Sequence, residues 1–159
     1  MRTILALVIA ALAPLLPPPA DNPPPKEWQP LIDATTSAIR KKDAAALQKL
    51  VMSYAELNAT CSKDPAGRKE AEDIDKARSR GIARALEDCN IMDWKTAKFV
   101  SASGGEPAIS RCDQYKPVKN ISLLYQDGPL MWTITLEPTV LNGKHLLKTQ
   151  PNCLAGMKK

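Results

Sequence analysis

The chain has 159 residues, enough for one domain with a real core and too few for two. Hydrophobic residues at 44% and charged residues at 25% are an ordinary globular mix, and aromatics at 4% leave few rings for base stacking. The net charge of +5 favours solubility and loose attraction to anionic surfaces; it lacks the dense basic patch that nucleic acid requires.

Arg2 precedes an almost unbroken apolar run from Thr3 to Ala13. A membrane span needs roughly 20 apolar residues, whereas this run has the size of the apolar part of a secretory signal. Residues 1–20 are therefore assigned to a signal peptide cut after Ala20, with an uncleaved anchor as the rival reading. No cysteine follows the run, so lipid attachment is not expected there, and no stable membrane insertion remains after cleavage. Residues 21–27 read as a proline-rich linker, residues 28–153 as a single α+β domain and residues 154–159 as a tail. Prolines packed between Pro17 and Pro30 hold the backbone extended. A tether is the simpler reading, and a P-x-x-P docking tract the sharper one.

Trp28, Leu31, Ile32, Thr35, Ala38 and Ile39 repeat with helical period, and Leu47, Leu50, Val51, Tyr54 and Leu57 form a second such face. Asp43 before three alanines is an N-cap signal, so two helices or one kinked at Lys42 are predicted. A loop is expected over 58–67. Arg68 to Cys89 is helical again, with Gly81 as a weak point or a place of close packing. Its arginines Arg78, Arg80 and Arg84, with Lys116 and Lys119, could hold an anion, but interleaved acids make a solvated helix face the simpler reading.

Thr96 to Ser103 reads as a first strand. Ile121–Tyr125, Leu130–Leu136 and Lys144–Lys148 read as a three-stranded meander turned at Asp127-Gly128 and Asn142-Gly143, because those pairs supply positive φ. Leu130, Trp132, Ile134 and Leu136 alternate with Met131, Thr133 and Thr135, the pattern of a sheet with one buried face. The predicted fold class is α+β: N-terminal helices packed on a curved four-stranded antiparallel meander, with two disulfides. Met131 and Leu124 on the outer face leave room for a homodimer through the sheet.

Cys61, Cys89, Cys112 and Cys153 are even in number, which in an oxidising compartment argues for two disulfides. No C-x-x-C spacing and a single histidine, His145, argue against a metal site, and no cofactor motif occurs. If helices and strands simply alternate in direction, Cys61 and Cys112 fall at one end and Cys89 and Cys153 at the other. Partners must lie within about 7 Å, so Cys61–Cys112 and Cys89–Cys153 are the expected bridges. A Cys61–Cys89 bridge would need Gly81 to break its helix.

The Asp43-Ala44…Leu47 helix start, the later helix and the Trp132-x-Ile134-x-Leu136…Asn142-Gly143-Lys144 sheet resemble the nuclear-transport-factor-like, cystatin-like α+β domains. That resemblance spans roughly residues 28–149 and implies a curved sheet wrapped around helices to leave a conical pocket. No acid–histidine motif can be carried over from it. The expected function is a non-catalytic exported module, periplasmic or secreted, that binds a small ligand or a protein partner through Tyr125, Trp132 and Ile134. The alternatives are a small lyase or isomerase using His145 with Asp93 or Asp127, and an envelope inhibitor or structural protein. Two sequons, at Asn58 and Asn120, matter only where exported proteins are glycosylated.

Overall fold

A computed structural model describes residues 22–157. The signal assignment over residues 1–20 lies outside the described residues, as do Lys158 and Lys159. After a 3-10 turn at Lys26–Trp28, helix α1 spans Gln29–Arg40, with Pro30 in its first turn, where a missing amide does no harm. Its buried stripe includes Leu31, Ile32, Thr35, Ala38 and Ile39. The break at Lys42 has a definite form. Lys42 takes a left-handed φ of 53°. Its amide donates to the Ile39 carbonyl, and the Asp43 amide donates to Ala38 at 2.9 Å, the bond pair of a Schellman cap. Asp43 then caps helix α2 (Ala44–Leu50), its carboxylate accepting from the Ala46 amide at 2.9 Å.

The helical spacing of Leu47, Leu50, Val51, Tyr54 and Leu57 is not honoured throughout. Val51 turns extended and bridges to Leu147, and the Met52 amide donates to the Leu147 carbonyl at 2.8 Å. A long-range hydrogen bond here overrides local period. Helix α3 (Tyr54–Leu57) and a π-turn (Asn58–Ser62) follow, so helical turns occupy part of the expected loop. Helix α4 spans Pro65–Cys89, opened by an Asp64 cap, and its 25 residues run unbroken for about 37 Å. Gly81 marks close packing: a Cβ there would stand 3.1 Å from the Gln150 side chain.

Strands β1 (Lys98–Gly104), β3 (Ile121–Asp127), β4 (Leu130–Leu136) and β7 (Asn152–Met157) form an antiparallel sheet in that order. A second antiparallel sheet has the order β2 (Tyr115–Pro117), β5 (Pro138–Leu141), β6 (Lys144–Leu147). The fold is thus α+β, helices against a four-stranded antiparallel sheet, but the fourth strand differs from the one expected. The Lys144–Leu147 strand pairs with β5 across Asn142-Gly143, and β7, expected to be mostly tail, takes its place beside β4. Pro138 explains the exchange. It has no amide to continue the ladder, so the chain leaves the first sheet after Leu136.

Both hairpin turns obey their residues. Asn142 and Gly143 have φ of 51° and 77°, as a type I′ turn demands. In the β3–β4 turn Asp127 pairs with Leu130, so the central residues are Gly128 and Pro129 rather than Asp127 and Gly128. Gly128 at φ 57° and a proline after it fit type II′.

Ile121, Leu123 and Tyr125 of β3 and Trp132, Ile134 and Leu136 of β4 are buried in one core with Leu31, Ile39, Leu47, Ile82 and Leu86 of the helices. Two disulfides, Cys61–Cys112 and Cys89–Cys153, hold helices to sheet regions, with Cα separations of 5.6 and 5.1 Å. They are the expected pairs. Cys89 and Cys153 are buried in the core, whereas Cys61 and Cys112 are only half-buried.

Asp75 of α4 anchors the start of α3 from outside that helix. Its carboxylate accepts from Ser53 Oγ at 2.6 Å, Tyr54 N at 2.9 Å and Ala55 N at 3.1 Å, and it pairs with Arg78. Burial alone would raise its pKa, but the Ser53 hydroxyl, the two amides and Arg78 together hold it below the ordinary 3.8. A depressed folded pKa gives stability that is full above 3.8 and is lost as pH falls through the lower folded value. Asp75→Asn is expected to lower stability by about 1–3 kcal/mol at neutral pH, and urea titrations should show the gap to the parent narrowing below that pH. Graded reduction followed by alkylation and mass mapping should open the more accessible Cys61–Cys112 bridge before Cys89–Cys153.

Candidate functional site

Helix α1 and the inner face of β1 and β3 enclose a cleft of about 280 Å³, lined by Gln29, Ile32, Asp33, Thr36, Arg40, Phe99, Ala102, Leu123 and Tyr125. The helix residues are spaced 0, 3, 4, 7 and 11, one face of a helix. The strand residues meet across the β1–β3 ladder, Phe99 opposite Tyr125 and Ala102 opposite Leu123. A register shift between Phe99 and Ser101 is a bulge at this sheet edge, where bulges re-aim side chains.

Aromatic rings form one end of the cleft. Tyr125 meets Phe99 edge-on at 5.5 Å and Trp94 at 5.3 Å, between ring centroids. The Arg40 guanidinium lies over the Trp94 ring at 4.8 Å. Trp94 is itself fixed, its indole N–H donating to the Cys89 carbonyl at 3.1 Å. Burial holds the Tyr125 phenol above its ordinary 10.0, against the pull of Arg40 and with a small push from Asp33, so it is a neutral donor at physiological pH. Gln29 donates to Asp33 at 2.8 Å. No salt bridge among the described residues takes in Asp33 or Arg40.

The residues expected to bind ligand divide. Tyr125 lines the cleft although it too is buried, at 4% exposure, and belongs to the core. Trp132 and Ile134 do not line it; they lie in the core at 5% and 0% exposure, packed beneath the helices. The Trp132 indole N–H has no hydrogen-bond partner among the described residues. Phe99, Arg40 and Asp33 were missed. Their signal is visible in retrospect only as opposite charges seven residues apart beside an apolar helical stripe.

His145 is exposed on β6, an edge strand of the second sheet, with its ring against Trp28 at 4.6 Å. Both acids offered as its partner are used elsewhere: Asp127 accepts from the Asp93 amide at 3.0 Å and the Thr96 hydroxyl at 2.8 Å, and the Asp93 carboxylate accepts from the Lys95 amide at 2.9 Å. The basic residues considered for an anion are also largely engaged, Arg78 with Asp75, Arg84 with Asp88 at 3.8 Å and Lys119 with Glu106 at 2.6 Å.

A larger hollow of about 560 Å³ lies between α4 and the β7 approach, walled by Gly81, Arg84, Asp88, Asn120, Glu137 and Gln150 among others. It is mostly polar and open, a groove rather than an apolar site with a few placed polar groups. The outer sheet face carries Leu124, Met131 and Thr133 half-buried and Leu154 exposed.

No family model, curated protein or solved structure matches this chain.

Cleft wall and core should respond differently to truncation. Phe99 is 57% exposed, so Phe99→Ala is expected to lower stability by under about 1.5 kcal/mol. Trp132→Ala, in the core, should lower it by about 3–5 kcal/mol. Denaturant titration of the two variants checks this contrast.

Proposed function

We infer that this protein is an exported, non-catalytic module that holds a small ligand in the cleft between α1 and the β1–β3 edge. The carrying observation is the cleft itself: an apolar floor of Ile32, Ala102 and Leu123, an aromatic end and a few polar groups at the rim. An apolar wall with a few polar groups is how small-ligand sites are built, and the cleft falls just below their usual size of about 300–1,000 Å³. Two disulfides suit an oxidising compartment, and among the described residues no helix is long and apolar enough to cross a membrane. The basic start and apolar run of residues 1–20 support export by a secretory signal.

The exposed position of His145, away from the cleft lining, favours binding over catalysis. A fragment library screened by ligand-observed NMR should give hits that Ala102→Met displaces by filling the floor, with Tm within a few degrees of the parent. His145→Ala should leave those hits unchanged. A library that yields no fragment sensitive to Ala102→Met would overturn the assignment of this cleft.

A further inference from the structure

Within one cleft, α1 presents an acid and a base that do not pair. Asp33 and Arg40 both line it, seven residues and so about 10.5 Å apart along the helix. On α4, opposite charges three or four residues apart find each other, Arg68–Glu72 at 3.1 Å, Lys76–Asp73 at 3.1 Å and Arg84–Asp88 at 3.8 Å, whereas seven residues hold Asp33 and Arg40 too far apart along the axis to do so. Arg40 is instead held over Trp94, beside the Tyr125 phenol, at the aromatic end. Asp33 lies about two turns toward the other end, oriented by Gln29 at 2.8 Å. Between them the wall is Thr36, and the facing strands supply Ala102, Leu123 and Phe99.

We propose, resting on the cleft as the ligand site, that its ligand is a small zwitterion of dipeptide size with an apolar side chain. Its carboxylate is received by the Arg40 guanidinium with the Tyr125 hydroxyl as second donor, and its ammonium by Asp33. Its side chain lies on Ala102 and Leu123 against the Phe99 ring. A free α-amino acid carries its two charges on adjacent groups and cannot reach both ends at once. One peptide unit between ammonium and carboxylate lengthens that reach, and the small volume of about 280 Å³ excludes a long peptide. A guanidinium forks onto a carboxylate with two parallel bonds, and the stack on Trp94 holds the fork in place.

The test uses the oxidised, disulfide-bonded protein and four probes in calorimetric titration: glycyl-phenylalanine, its C-terminal amide, its N-acetyl form and phenylalanine. Glycyl-phenylalanine is expected to bind at least about tenfold more tightly than each of the other three, in line with two charge-assisted contacts. Arg40→Gln should bring glycyl-phenylalanine down to the level of its amide, and Asp33→Asn down to that of the N-acetyl form. Both substituted side chains are on the surface, so thermal melts should match the parent. Capped forms that bind as well as the free dipeptide would overturn the zwitterion while leaving the cleft as a ligand site. A dipeptide preference that survives both substitutions would place the charges elsewhere and overturn it too. If no probe binds and no fragment responds to Ala102→Met, both the zwitterion and the cleft assignment fall.

Discussion

The end of α4 is the point on which the rest of the structure depends. Cys89 closes that helix and is bonded to Cys153 near the start of β7, which pairs with Ile134 of the inner strand β4. The buried stripe of α4 is thin, Ala71, Ile82, Ala85, Leu86 and Cys89 on a helix otherwise covered in charge. Small side chains let the helix approach closely but remove little apolar surface from water. A covalent link at its last residue, closing a long loop, contributes on the order of 3–4 kcal/mol that packing alone would not supply. The same short segment ties in the neighbouring elements. Asn90 donates to the carbonyls of Ile39 and Leu86, joining the ends of α1 and α4. Trp94 donates to the Cys89 carbonyl and carries Arg40 on its ring. The position of the cleft's cationic end thus traces back, through one indole, to the disulfide.

That bridge could be read from residues even though the path leading to it could not. The pairing argument placed Cys89 and Cys153 at one end of the layer by counting strands that alternate in direction; the pair is as expected, the path is not. The count placed Lys144–Leu147 in the first sheet and Cys153 beyond its end. In fact Pro138 diverts two strands into a second sheet, and the chain returns to add β7 beside β4. Cys153 is therefore the second residue of a strand and meets Cys89 beside Ile134, rather than past the far end of the sheet where the count put it. Strands β1, β3, β4 and β6 were legible because period and turn residues are local: the alternation of Trp132, Ile134 and Leu136 with Met131, Thr133 and Thr135 needs no partner to be seen, whereas β2, β5 and β7 carry no such alternation bounded by turn pairs. Strand neighbours were not legible, since a proline says where a ladder ends without saying what replaces it. The end of α2 is the same kind of case. Nothing near Val51 in sequence announces that Leu147 will claim its backbone.

The site was legible to a lesser degree, and for a related reason. An inward-facing strand residue can be recognised from alternation, and Tyr125, Trp132 and Ile134 all face inward. Whether an inward residue lines a cavity or fills a core depends on which helix lies over it. All three are buried in one core, and the cleft beside α1 at the β1 edge reaches Tyr125 alone. Phe99 reaches the cleft through a bulge, and a bulge has no clear sequence signal in Lys98-Phe99-Val100-Ser101. Asp33 and Arg40 read as solvent-facing positions of an amphipathic helix, and so they are; that they also edge a cleft shows only once β1 is laid alongside.

The charges on α1 also explain why a cleft exists at all. Interiors close to crystal-like density where apolar side chains meet, and a gap forgoes dispersion contacts on both walls. Along its inner stripe α1 does close, on Leu31, Thr35 and Ile39. Along the flank toward β1 it carries Gln29, Asp33, Thr36 and Arg40, and the strand opposite offers only Ala102, Leu123 and the rings. An ionised carboxylate or guanidinium is not drawn under an apolar wall without a counter-charge. The helix and the strand edge therefore stay apart along that flank. Both charged side chains stay exposed to water along that flank, and the gap between the helix and the strand edge keeps them so.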